Sequence, residues 1–366
     1  MTDSARVSPS SPFIPDDLDP DLDRLGVVDG GGGGVDISGL SPDGRLAVGA
    51  FASALTGPEA GRRLTGLAGV LAARGLRADA ARLCQQAMQA DDDPEVAVRA
   101  RHVCSSGIPD WHVALLHDEE RACAYDRAIR RAVQPGSLVL DIGTGSGLLA
   151  MMAARAGAGS VVACERDPVL AEAAAEIVAQ NGLSERIRVI AKDSRQLIVG
   201  EDLPRRADLV ISEIVSNDLL AEGALETLRS ARRDLLIDGA PALPSGGRIS
   251  AALVALDRRD HRPIATLVGF DLSRFNAYTP PRKVINRWKP VALMSEVADL
   301  FAFDLSGGAS LDQRRVSRSV ELTRSGRVDG IVQWMGLDLF GDVQIGTGPD
   351  AAPTAWGKNL HVFDHP

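Results

Sequence analysis

The chain has 366 residues, 45% of them hydrophobic and 24% charged, ordinary values for a soluble globular protein long enough for two or three domains. With 40 basic against 49 acidic residues its formal charge is −9, which argues against a nucleic-acid groove as its main business and favours a cationic ligand over an anionic one. Cys84, Cys104, Cys123 and Cys164 show neither CxxC pairing nor zinc spacing, so no metal is expected and reduced thiols in a cytoplasmic protein are the simplest account.

The first residues have neither the basic start nor the apolar run of a signal peptide, and no apolar stretch is long enough to cross a bilayer. Residues 1–43 are rich in Ser, Pro, Asp and Gly, with the run Gly30 to Gly34 near their end; such a segment buries too little apolar surface to offset its ordering entropy, and a disordered tail is expected. Residues 44–107 are helical and alanine-rich in texture. Within them Leu67, Leu71, Gly75, Ala80, Cys84, Ala87 and Pro94 approximate one tetratricopeptide hairpin, with an ordinary helix pair as the competing reading.

Over residues 108–243 strand and helix patterns alternate. The apolar runs 137–142, 160–164, 186–190 and 207–212 read as strands, and 148–156 and 168–181 as helices, the second opened by Pro168 and closed by Gly182. Repeated alternation implies an α/β domain with a parallel sheet covered on both faces. Residues 244–366 lose the helices; 248–256, 300–304 and 330–334 look like strands of an antiparallel, barrel-like module.

A cofactor signature follows the first strand. Val139-Leu-Asp141-Ile-Gly143-Thr-Gly145-Ser-Gly147 places an acid at a strand end and glycines in the turn beyond it, where a bare backbone lets a ligand approach a helix N-terminus. Gly145, Gly147 and Ala150 also satisfy a dinucleotide pattern. S-adenosyl-L-methionine is favoured because Asp141 would repel a pyrophosphate yet can hold an amino group, and because that cofactor is cationic at sulfur. Glu165, after the second strand, stands where an acid grips ribose hydroxyls, and Asp193 and Ser194, after the third, are placed to meet an adenine.

Glu213 and Glu222 lie in one short apolar stretch after the fourth strand. Paired carboxylates are costly to gather without a cation to share, and the planar fork of a guanidinium suits them. With the cofactor signature they point to methylation of an arginine side chain: both acids orient the guanidinium, draw its charge from the attacking nitrogen, and one accepts the released proton.

These motifs resemble the protein arginine methyltransferase family, from about Trp111 to the C-terminus, and most closely its monomethylating branch and the branch with N-terminal tetratricopeptide repeats. The resemblance implies a Rossmann-like class I methyltransferase domain preceded by helices and followed by a β-barrel domain, here shortened. The segment Trp111 to Arg121 resembles the one that leads into the catalytic domain, and Arg121 matches an arginine that binds the cofactor carboxylate. Thr354-Ala355-Trp356 resembles the loop that closes over the substrate arginine, giving Trp356 a substrate contact.

Departures from the family pattern are equally specific. Residues 104–108 lack the family's tyrosine-rich motif, Ile214 replaces the tryptophan of asymmetric dimethylating members, and Ala355 stands where a histidine pairs with an acid on the N-terminal helices, with His361 as a candidate substitute. The layout also resembles the free L-arginine methyltransferases of actinobacterial streptozotocin biosynthesis. Free L-arginine methylated once is the preferred substrate, and arginine within a protein the alternative. Relatives imply a homodimer. A non-catalytic scaffold is the rival of another class, opposed by intact Asp141, Gly143, Gly145, Glu165, Glu213 and Glu222. Methylation of lysine or a ribosomal protein leaves the second glutamate unexplained.

Overall fold

The computed structural model describes residues 39–49, 59–106, 108–219, 222–256, 264–280, 282–285, 291–306 and 315–363. The tail expected over 1–43 therefore falls outside the described residues up to position 38. The chain divides between Ile108 and Pro109 into two compact units.

The first unit is helical: α1 (Pro42–Gly49), α2 (Ala60–Ala73), α3 (Arg77–Ala90) and α4 (Pro94–Ser105). Helical spacing puts Leu64, Ala68 and Leu71 of α2 and Ala80, Leu83, Cys84 and Ala87 of α3 on facing stripes, closed by Val96 and Ala100 of α4. Asp93 caps α4 by accepting from the Glu95 amide at 2.9 Å, with Pro94 in the first turn. Helical structure begins slightly before the expected boundary, because Ser41 anchors α1: its amide and hydroxyl donate to the buried Asp79 at 2.8 and 2.5 Å.

The second unit begins with α5 (Trp111–Leu116) and α6 (Glu119–Ala132). It continues as β1 (Leu138–Ile142), α7 (Leu148–Arg155), β2 (Ser160–Cys164), α8 (Pro168–Gln180), β3 (Ile187–Ile190), β4 (Leu209–Ser212), α9 (Ala224–Asp234) and β5 (Ala242–Leu243). The strands form a parallel five-stranded sheet in the order β3-β2-β1-β4-β5. Alternate residues feed two cores: Val139, Val161, Ala163, Leu209 and Ile211 on one face, Leu138, Leu140, Ile142, Val162 and Val210 on the other. Two buried faces explain the nearly unbroken apolar runs. Strand order reverses at β1, so the crevice beyond the carboxyl ends of β1 and β4 is the switch point where α/β sheets take ligands.

The remaining strands are β6 (Gly246–Ala255), β7 (Thr266–Leu267), β8 (Phe270–Asp271), β9 (Arg282–Ile285), β10 (Ala292–Leu293), β11 (Ala298–Asp304), β12 (Gly330–Phe340), β13 (Val343–Gly346) and β14 (Lys358–Val362). Seven of them make an antiparallel sheet along β10-β6-β12-β14-β9, with β11 beside β6 and β13 beside β12. Among the described residues no pairing within this sheet joins β9 to β10 or β11. The hairpin β7–β8 stands apart from it. The parallel and antiparallel sheets share one core, since Ile249, Met335, Leu337 and Leu339 pack in the cluster that holds α6 and α7.

Candidate active site

The glycine turn after β1 is built by backbone geometry. Gly143, Gly145 and Gly147 have φ of 72°, 54° and 81°, left-handed values that residues with a Cβ adopt only at a cost. The amides of Gly143 and Thr144 donate to the Cys164 carbonyl at 2.9 and 3.1 Å, folding the turn over β2. Asp141 is fully buried; one carboxylate oxygen accepts from the Thr144 hydroxyl at 2.5 Å and the other, Oδ1, has no protein partner. Burial pushes its pKa up to about 7, against the Thr144 bond. Glu165, at the end of β2, accepts from the Gly145 amide at 3.1 Å and the Asp167 amide at 3.0 Å. After β3, Asp193 forms a fork with Arg195 at 2.9 and 2.8 Å, and that pairing holds its pKa down to about 2. Ser194 is buried beside it. The Asp193 carboxylate thus faces Arg195, which the motif did not single out.

A buried ion pair joins α6 to the residue that follows β4. Asp118 caps α6 by accepting from the Arg121 amide at 3.0 Å, which aims Arg121 inward. Its Nη1 donates to Glu213 Oε2 and its Nη2 to the Leu115 carbonyl at 2.8 Å. The two side chains are only 5% and 8% exposed. Glu213 Oε1 and Arg121 Nε nevertheless lack any partner, and burial raises the Glu213 pKa to about 7 although Arg121 opposes the rise. Tyr125, one turn beyond Arg121 and wholly buried, donates its hydroxyl to the Ser212 carbonyl at 3.4 Å and lies within the electrostatic reach of Glu213, Arg121 and Asp141. Three unpartnered buried polar atoms thus belong to Asp141, Arg121 and Glu213, which buried groups avoid unless a ligand completes them.

Glu222 occupies a different environment. It is exposed just before Gly223, which caps α9, and partial burial raises its pKa while Arg166 lowers it and Asp218 raises it further. Among the described contacts the two glutamates share no partner. The loop between them is stitched at several points: Trp356 Nε1 donates to the Val215 carbonyl at 3.2 Å, the Gly357 amide to Asn217 Oδ1 at 2.8 Å, and Arg282 to Asp218 at 2.9 Å. Trp356 is buried. Where the resemblance implies a histidine paired to an acid, the Ala355 backbone amide donates to Asp118 instead. His361 does not replace that pair: it lies on β14 opposite Ile331, near Arg282, while both Asp118 oxygens are engaged by the amides of Arg121 and Ala355.

With this geometry in hand, comparison with known proteins is informative. The chain is 37% identical over 270 residues, spanning 72% of itself and 74% of the relative, to "Arginine N(omega)-methyltransferase" of Streptomyces achromogenes subsp. streptozoticus. The chain belongs to the arginine methyltransferase family. It is an S-adenosyl-L-methionine-dependent arginine N-methyltransferase.

Other relatives of this methyltransferase are "Protein arginine N-methyltransferase 7" of Aedes aegypti, 32% identical over 71% of this chain, and of Bos taurus, 33% over 62%. The chain spans only 40% and 36% of their lengths. A family profile for "Ribosomal protein L11 methyltransferase (PrmA)" matches residues 121–232, the stretch from α6 to α9 that holds the glycine turn. Among solved structures, the Trypanosoma brucei PRMT1 enzyme-prozyme complex with AdoHcy matches with TM-score 0.59 at 23% identity, over 70% of this chain and 84% of that one. Arabidopsis thaliana protein arginine methyltransferase 10 matches at 0.58 and 23%, over 69% and 82%. Both establish the Rossmann-like class I methyltransferase fold.

The methyltransferase's orphaned atoms suit its cofactor: Asp141 Oδ1 is an acceptor for an ammonium and Arg121 Nε a donor for a carboxylate. Among the described residues no cluster of His, Cys, Asp or Glu offers a metal site, and no helix is long and apolar enough to cross a membrane. Sequence reading missed Asp118 and Tyr125. The first stands three residues before Arg121, the spacing of an N-cap, and the second one helical turn after it on the same face.

Proposed function

We propose that the enzyme methylates free L-arginine to N-omega-methyl-L-arginine, in natural-product biosynthesis. The observation that carries this reading is the relative spanned over most of its length, which is named for arginine itself, whereas the relatives named for protein substrates are spanned over well under half of theirs. Bound cofactor supplies an electrophilic methyl group. Glu213 takes one edge of the substrate guanidinium through Oε1 while Arg121 holds Oε2, and Glu222 closes from the loop to grip the other edge. The carboxylates fix the guanidinium plane and concentrate its positive charge near themselves, leaving the attacking nitrogen richer in electron density. One of them receives the proton released as that nitrogen is methylated. Arg121 and Asp141 hold the carboxylate and amino group of the cofactor, Gly143 and Gly145 let it approach, Glu165 meets the ribose, Asp193 and Ser194 the adenine, and Trp356 lines the arginine channel.

Arginine in a protein is the second reading, supported by the relatives of the protein arginine N-methyltransferase 7 type. Enzyme incubated with labelled cofactor and either L-arginine or a Gly/Arg-rich peptide separates the two. Label on the amino acid supports the proposal; labelled peptide beside unlabelled amino acid overturns it.

Residues 44–107 as a tetratricopeptide-like region, 108–243 as the cofactor domain and 244–366 as a barrel-like substrate domain are part of the same reading. So is a homodimer, supported by an arm over residues 264–280 that leaves Leu267, Val268, Phe270, Phe275 and Tyr278 between 62% and 86% exposed. All four cysteines are free thiols, in keeping with a cytoplasmic setting.

A further inference from the structure

Glu213 and Glu222 account for a guanidinium, which free arginine and a peptide arginine both possess. Free arginine differs at its other end, where an ammonium and a carboxylate share one carbon. The loop between the glutamates carries a second charged feature. Asp218 Oδ2 accepts from Arg282 Nη1 at 2.9 Å, and Asp218 Oδ1 from the Ser216 hydroxyl at 2.5 Å. Arg282 begins β9, far away in sequence, and pairs in register with His361. The Asp218 side chain is 22% exposed and that of Arg282 51%, so the pair contributes little to stability. Asp218 also lies within electrostatic reach of the exposed Glu222, whose proton affinity it raises.

We infer that Asp218 and Arg282 form the subsite that reads the amino-acid end of free arginine, Asp218 taking its ammonium and Arg282 its carboxylate. This rests on the free-arginine reading above. Two fixed opposite charges a hydrogen bond apart match the two opposite charges that the α-carbon carries. Laid side by side, the four groups alternate in sign around a ring, so each charge gains a second opposite neighbour. A peptide arginine carries neither charge at its α-carbon and leaves the pair closed on itself. The pair therefore selects substrate without touching the reacting nitrogen. Asp218 lies in the segment joining the buried Glu213 to the exposed Glu222, and the stitching of Val215 and Asn217 to Trp356 and Gly357 holds that segment in place.

The test is steady-state kinetics of the full chain with L-arginine, with agmatine, which lacks the carboxylate, and with Nα-acetyl-L-arginine, which lacks the ammonium. Arg282→Gln is expected to raise KM for L-arginine and the acetyl compound about tenfold or more and to leave agmatine alone; Asp218→Asn should do so for L-arginine and agmatine and leave the acetyl compound alone. A loss of packing would penalise all three substrates alike, so the crossed pattern distinguishes recognition from structure, and S-adenosylhomocysteine affinity by calorimetry should be unchanged. Equal losses on all three substrates, or none, overturn the assignment while the wild-type rate on L-arginine still upholds the free-arginine reading. A wild-type enzyme active on peptide alone overturns both.

Discussion

Glu213 has one carboxylate oxygen committed to Arg121 and one open, and Glu222 stands exposed at the rim. If the open oxygen and the rim acid divide the guanidinium between them, Glu222→Gln should lower kcat at least about a hundredfold, the scale of a lost charge-assisted contact made in the transition state. S-adenosylhomocysteine binding by calorimetry should survive; turnover close to wild type removes Glu222 from the mechanism. The raised pKa of Glu213 gives a second expectation. Its ionised form receives the cation, so kcat should climb with pH and level off above about 7. Stability runs the other way. A carboxyl that binds its proton more tightly folded than unfolded favours the fold at low pH, and that contribution is lost as pH rises from 4.5 to about 7. Urea midpoints measured on either side of that window should fall with pH less steeply in Glu213→Gln than in wild type. Sequence pointed to the acids, because charge in an apolar run is conspicuous; it could not reveal that Arg121 would meet Glu213, since the partners lie 92 positions apart.

At the scale of elements, α6 and the 354–357 loop depend on one side chain. Asp118 caps the helix through the Arg121 amide and holds the Ala355 amide. Asp118→Ala removes both bonds and should cost about 1–3 kcal/mol in urea unfolding. It should also raise KM for arginine as Trp356 loses its support; an unchanged KM would separate the loop from substrate binding. The parallel strands were legible because burial on two faces leaves continuous apolar runs bounded by Gly, Pro and Asp, and the segments 248–256, 300–304 and 330–334 fall on β6, β11 and β12. Harder to see were β13 and β14, whose short runs contain Gln344, Lys358, Asn359 and His361. Among the described residues β13 pairs only with β12, whereas β14 runs between β12 and β9 with Lys358 and Asn359 buried, and local pattern carries no sign of either setting. The exposed arm was missed for the opposite reason: Leu267, Phe270 and Phe275 look like core residues until the fold leaves them outside.

For the whole molecule, the arm gives the most direct expectation. An isolated protein gains nothing by keeping large apolar side chains in water, whereas a second copy would cover them. Light scattering should report a dimer for wild type and a monomer for the double variant Phe270→Asp, Phe275→Asp; a monomeric wild type would assign the arm to another contact. The division into two units falls between Ile108 and Pro109, and two further helices, α5 and α6, precede the first strand, so helical texture alone does not mark it.

The glycine turn and the glutamate loop also meet directly. A Cβ built on Gly143 would come within 2.6 Å of Ile214 Cγ2, so the turn and the segment after Glu213 pack with no room for a side chain at position 143. A side chain at position 143 would therefore need a smaller residue at position 214. Trimming Ile214 would make room for a methyl at 143 but would not relieve the φ of 72°, so the epistasis between them is one-sided: the isoleucine can change more freely than the glycine.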